Sequence, residues 1–257
     1  MKKPPSGPEI RIVATAQELG LAAALQLVYR GKKAILEKNL FTVVLGGGST
    51  FQGAYSRLAD DPTLNRQLSW GSVHFFWSHE HLVPPDHEES LYRAAYETLL
   101  KKLPLPKENV HRIKGEYRSA GRAAHEYEGQ LRRFFALKPR QRPRFDLVLL
   151  GMGTDGRTAS LFPGSEVLRE QKRWVVGHWI EQLKAHRITL TAPVLNNAAR
   201  VIFLVSGEEK AETLNQILFG EYQPERYPAQ VIRPVSGKLL WLVDKAAARL
   251  LSNYRDE

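Results

Sequence analysis

The sequence predicts an α/β fold, a mostly parallel sheet with helices on both faces. Two observations lead there. Short apolar, β-branched runs at 41–45, 145–150 and 201–205 alternate with segments whose apolar residues recur at helical spacing. Three of those runs, ending at Leu45, Leu150 and Val205, stop at polar loops that precede helices. In a parallel sheet such loops lie together, outside the carboxyl ends of the strands. The chain's 257 residues, 43% of them hydrophobic, suffice for one substantial core. Residues 1–257 therefore read as one domain, with residues 1–9 as a loose arm.

In order, residues 10–14 read as a first strand and 17–38 as a helix, with Leu19, Leu21, Ala22, Leu25, Val28 and Tyr29 at helical spacing. The strand 41–45 runs into Gly46-Gly47-Gly48-Ser49-Thr50, and a helix over 51–58 follows. A strand over 70–77 ends in Ser78-His79-Glu80-His81 and a Pro84-Pro85 turn. Helices are expected over 88–101 and 122–136, strands over 174–177 and 188–191, and a helical turn over 194–199. The strand 201–205 leads through Ser206-Gly207-Glu208-Glu209-Lys210 into a helix to 218. Two short strands, 230–232 and 239–243, precede a final helix from Asp244.

Composition narrows the function. Cysteine is absent, which excludes disulfides, thiolate metal sites and a cysteine nucleophile. No stretch approaches the ~18–20 apolar residues of a membrane span, and MKKPPSGPEI lacks the apolar segment of a secretory signal, so a cytoplasmic protein is expected. The formal charge of +10 favours anionic partners. Nucleic acid is not the expected one, because the densest basic run, KPRQRPR at 138–144, is a proline-interrupted loop with no accompanying motif. His79 and His81 flank a glutamate, but no metal-ligand spacing appears.

The loops carry the candidate chemistry. Gly47, Gly48, Ser49 and Thr50 suit a phosphate: glycines admit close approach to backbone N–H groups, two hydroxyls add donors, and a helix N-terminus adds partial positive charge. A plain glycine turn capped by Ser49 or Thr50 fits the same residues. The loop lacks the lysine of a Walker A motif. Gly151-Met152-Gly153-Thr154-Asp155-Gly156 is formally GxGxxG after a strand. Pro163 leaves room for only a very short helix behind it, and no strand-end acid stands about twenty residues on, so a dinucleotide is not favoured. Lys210 opens a helix and Arg187 lies near a strand boundary; each is either an anion ligand or a solvated surface cation.

Five stretches resemble the 6-phosphogluconolactonase family, relatives of the glucosamine-6-phosphate isomerases. They are LGGGST (45–50), VHFFWSHEHLVPPDHEESLYRAA (73–95), FDLVLLGMGTDGRTASLFPGS (145–165), RITLTAPVLNNAARVIFLVSGEEKA (187–211) and YPAQVIRPVSGKLLWLVDKAA (227–247). The resemblance implies a Rossmann-like fold and hydrolysis of 6-phospho-D-glucono-1,5-lactone to 6-phosphogluconate, a step of the oxidative pentose phosphate pathway, with no cofactor. It places phosphate anchoring on Ser49, Thr50, Arg187 and Lys210.

The catalytic positions depart from the family pattern. Arg157 stands where DGHTASLFPG carries its proposed general base, and a guanidinium takes up no proton near neutral pH. The DER triplet is replaced by His79-Glu80-His81, while Asp155 is retained. The expected reading is a rewired hydrolase: Arg157 binds phosphate or the developing oxyanion, His79 or His81 supplies the base, and Asp155 orients or assists. The alternative is a sugar-phosphate binder of the same fold whose catalysis is impaired.

Overall fold

The computed structural model describes residues 9–138 and 141–251. The chain runs β1 (Glu9–Val13), α1 (Ala16–Lys38), β2 (Phe41–Leu45), α2 (Ser49–Asp60), α3 (Pro62–Asn65), β3 (Val73–Trp77), β4 (His79–His81), α4 (Leu91–Thr98), β5 (Val110–His111) and α5 (Ala120–Phe134). It continues through β6 (Leu147–Gly151), β7 (Val175–Ile180), β8 (Ala185–Leu190), α6 (Ala192–Leu195), β9 (Arg200–Val205), α7 (Ala211–Phe219) and β10 (Lys238–Asp244). Seven strands form one sheet in the order β1-β10-β9-β6-β2-β3-β5, every neighbouring pair parallel. The arm expected over 1–9 lies outside the described residues except for Glu9, which opens β1.

The central strands are apolar because they are covered on both faces. All five residues of β2 and all six of β9 are buried, as a parallel sheet between helices requires. Helix α1 turns Leu19, Ala22, Ala23, Leu27 and Val28 inward. Its start is fixed by Thr15, which accepts from the Glu18 N–H, and by Glu18, which accepts in return from the Ala14 N–H at 2.9 Å. Asn39, in the left-handed region at φ 54, ends it.

A second, antiparallel sheet in the order β4-β8-β7 stands beside the first. Ser78 is the corner between them. Its N–H donates to the Leu45 carbonyl of the large sheet at 3.2 Å, and its carbonyl accepts from Leu190 N–H of the small one at 2.8 Å. The expected loop 78–81 is therefore a strand from His79 onward. Helix α5 presses on the small sheet so closely that a Cβ on Gly177 would lie 2.2 Å from the Ala120 backbone.

Three further expectations are corrected by side-chain hydrogen bonds. The strand expected from Trp70 starts at Val73, because Trp70–Ser72 is a tight turn with the Trp70 indole N–H on the Asn65 carbonyl. The strand expected over 230–232 is a turn, Pro228–Val231. Gln230 there donates to the Glu221 carbonyl and accepts from the Gln223 N–H, sealing the chain behind α7. The final helix expected from Asp244 is a series of turns, with the Asp244 carboxylate taking the N–H groups of Gly207 and Ala247.

Candidate functional site

Strands β2, β6 and β9 are neighbours, so the loops after Leu45, Gly151 and Val205 share one edge of the sheet. They enclose a cavity of about 300 Å³ lined by Gly47, Gly48, Ser49, Thr50, Phe51, His79, Gly151–Thr154, Arg157–Ala159, Leu204 and Lys210, small-molecule size. A larger cavity of about 690 Å³, walled by residues of 162–182, contains none of the candidate site residues.

The glycine loop is an open set of donors. Helix α2 begins at Ser49 with no side-chain cap on its first turn, so its leading N–H groups keep their capacity to bind an anion. Gly48 adopts φ 104, with nothing within 4 Å of where a Cβ would stand. Behind the loop the packing is tight. A Cβ on Gly46 would meet the Phe51 ring at 2.4 Å, one on Gly151 would meet the same ring at 3.1 Å, and the Tyr55 hydroxyl donates to the Gly46 carbonyl at 2.8 Å in a buried setting. Lys210 enters from the turn preceding α7, with its side chain largely covered and its ammonium 3.9 Å from Glu209.

The second glycine loop is stitched to itself and to its surroundings. Gly153 N–H donates to the Arg157 carbonyl at 2.9 Å, the Thr158 hydroxyl to the Gly151 carbonyl at 2.8 Å, and Ser160 N–H to the Thr189 hydroxyl at 3.2 Å. No helix follows; the loop turns back on itself at Thr158 and Leu161. Ala159 is held at φ 48, a conformation that costs an L-residue about 1 kcal/mol or more. Asp155 accepts from Arg157 Nη1 through both carboxylate oxygens, each at 3.1 Å, and the guanidinium lies 5.3 Å from the Phe162 ring. The cation at 157 is thus aimed by its neighbours and half-exposed to the cleft.

On the β4 side, the two histidines differ. His79 lines the cavity, with Nδ1 2.9 Å from the Ser78 hydroxyl. Its ring is pushed down to about 3, first by burial and then by His81, Arg187 and Arg157, so it is neutral at physiological pH. His81 does not line the cavity; its Nδ1 is buried without a hydrogen-bond partner and burial brings it to about 4. Arg187, directly across from His81 on β8, stands outside the cavity lining as well, as does Asp155. Burial lowers Arg187, and its field reaches His79, His81 and Arg157.

Between the histidines, Glu80 is 2% exposed. Its carboxylate accepts from the N–H groups of His81, Leu91 and Tyr92 at 2.8–2.9 Å and from the Ser90 hydroxyl at 3.1 Å. It ties β4 to the start of α4, where an anion is electrostatically favoured. The sequence assigns no role to Glu80, Ser78, Phe51, Tyr55 or Thr158. An acid between two histidines is the available signal for Glu80. Phe51 and Tyr55 fall at ordinary core spacing on α2 and give none. Among the described residues, no group of three or more His, Asp or Glu side chains converges in a way that would hold a metal ion.

The sequence pattern of the glucosamine-6-phosphate isomerases/6-phosphogluconolactonase family matches residues 14–241. A 6-phosphogluconolactonase of Synechocystis sp. is 36% identical over 245 residues, 95% of this chain and 98% of the relative. One from Nostoc sp. is 38% identical over 220 residues, 85% and 88% of the two chains. The solved structure of 6-phosphogluconolactonase from Trypanosoma brucei superimposes with a TM-score of 0.83 at 32% identity, covering 95% of this chain and 98% of that one. With the family pattern matched over 14–241 and relatives above 30% identity covered almost end to end, the chain belongs to the glucosamine-6-phosphate isomerase/6-phosphogluconolactonase family.

Proposed function

We propose that this chain is a single-domain 6-phosphogluconolactonase, hydrolysing 6-phospho-D-glucono-1,5-lactone to 6-phosphogluconate in the oxidative pentose phosphate pathway. The carrying observation is convergence on one cavity. A loop of open backbone and hydroxyl donors at Gly47–Thr50 and the ammonium of Lys210 stand opposite a neutral imidazole, His79, and an aimed guanidinium, Arg157. The first group suits a phosphate dianion and the second suits attack by water on a carbonyl. Arg187 adds positive potential from β8, drawing the anion in.

In this reading His79 is the base, and a bound phosphate dianion raises the proton affinity that burial and then the neighbouring arginines depress. Water attacks the lactone carbonyl carbon and gives a proton to His79, while Arg157 stabilises the oxyanion that forms. Collapse breaks the bond to the ring oxygen, which leaves with the proton from His79 as a hydroxyl group. The new carboxylic acid then ionises to the product carboxylate. Asp155 holds the guanidinium through its two 3.1 Å contacts, and so orients it rather than taking the proton. His81 lies outside the cavity and, brought to about 4 by burial, takes no part in the proton transfer.

An impaired sugar-phosphate binder finds no support: the relatives of comparable length carry the name of the hydrolase, and the cleft keeps a neutral imidazole on its wall. Among the described residues no helix is long and apolar enough to cross a membrane, which accords with the proposed cytoplasmic setting. The test is a coupled assay on freshly made lactone. Consumption well above the spontaneous rate is expected; consumption at that rate, with product still bound, would revive the binder.

A further inference from the structure

Ser78 occupies the corner where the chain leaves the large sheet for the small one, and it is fully buried. Its hydroxyl has two partners, the Leu45 carbonyl at 3.3 Å and Nδ1 of His79 at 2.9 Å. A hydroxyl has one proton to give and lone pairs with which to accept. A carbonyl only accepts. If the Ser78 proton goes to Leu45, the bond to His79 must be donated by the imidazole, which fixes the ring's proton on Nδ1.

We propose that Ser78 is a positioning residue that holds His79 in the Nδ1–H tautomer and so presents Nε2 to the cleft as the lone-pair nitrogen. One feature favours this arrangement over its reverse: the charged neighbours of the ring are cations. Arg157 and Arg187 act on it with positive sign, and Lys210 lines the same cavity. A positive surrounding attracts a lone pair and repels the N–H dipole that the other tautomer would turn into the cleft. Among the described residues, the hydroxyl against Nδ1 is that of Ser78. Thr189, opposite His79 across the β4–β8 pair, already accepts from Ser160 N–H and donates to the Leu190 carbonyl. Leu45 is the last residue of β2, so the relay is anchored on the strand that carries the anion loop. The base and the phosphate donors are thereby referenced to one rigid element.

This inference rests on the lactonase reading only for its effect on rate; the tautomer stands or falls by itself. The experiment is ring-nitrogen NMR on ¹⁵N-histidine-labelled protein at neutral pH, with His79 assigned through loss of its signals in His79→Ala. Wild type is expected to show a protonated Nδ1 and an unprotonated Nε2, and Ser78→Ala to shift toward the Nε2–H form that neutral imidazole prefers in water. In steady-state kinetics Ser78→Ala is expected to lower kcat about ten- to a hundredfold with KM within about twofold, and Ser78→Thr, which keeps the hydroxyl, to restore most of it. An Nε2–H signature in the wild type overturns the proposal outright, as does an unchanged signature in Ser78→Ala. Should Ser78→Thr overpack the corner and fail to fold, the wild-type spectrum still decides. Full turnover in His79→Ala would instead remove the base assignment, leaving the tautomer result untouched.

Discussion

Two histidine pairs border the same strand, and they have opposite fates. His74 lies inside β3, with Nδ1 3.0 Å from Nε2 of His111 on β5, and Gln130 closes the other side of the His111 ring at 3.3 Å. Phe76 and Phe134 pack on that pair at ring distances of 4.4–4.9 Å. His79 lies two residues beyond the end of β3 and also loses basicity through burial, but its ring borders a cavity rather than a stack of aromatics. His111, like His79, is pushed well down, to about 4. A depressed imidazole is therefore no signature of a base by itself. The difference lies in whether a ring nitrogen remains for substrate, and at His79 one does.

The comparison is broken most directly by removing each ring. His79→Ala is expected to cut turnover above the spontaneous background by ~10²–10⁴-fold, whereas His111→Gln leaves turnover within about twofold. Equal losses in the coupled assay would mean that the cavity face is not what distinguishes them. The outer pair should declare itself in stability instead. Below the ordinary histidine value of 6.5 an unfolded chain takes a proton that native His111 refuses until about 4, so stability falls as pH drops through that window. The share from His111 is on the order of 3 kcal/mol at pH 4. Urea midpoints at pH 7, 5 and 4 should fall steeply in wild type and less so in His111→Gln; parallel curves would remove the assignment.

Arg157→His restores the residue type of the family pattern while deleting the oriented cation. If His79 already serves as base, this variant loses about a hundredfold in kcat through the unsupported oxyanion. A gain in rate would return the base to position 157. The smallest expected effect concerns the anion loop. Tyr55→Phe leaves the Gly46 carbonyl without its buried donor, and the peptide between two glycines is then free to rotate. A rise in KM of about tenfold with kcat unchanged is expected; an unchanged KM would show that the loop holds its shape without the phenol.

Much of this was legible in the sequence, and what was not has a common cause. The loops after Leu45 and Val205 could be placed on one sheet edge because strand periodicity and glycine position are local signals. Gln230 was misread as part of a strand because its partners lie at Gln223 and Glu221, behind a turn that local pattern does not reveal. The corner at Ser78 depends on Leu45 and Leu190, both remote in sequence. That His79 and not His81 meets the cavity likewise depends on the pairing of β4 with β8, which no residue of the HEH triplet announces.

Glu80 has a consequence for how such a site can change. In a strand, alternate residues face opposite ways, and here the middle residue is buried against α4 while its two neighbours are partly open. The anchor therefore occupies one side of three consecutive residues, and His79, which meets the cavity, the other. Side chains at 79 and 81 can be exchanged as a cassette, in evolution or by design, while the carboxylate between them keeps the frame in register. New chemistry on this scaffold can begin with two point substitutions.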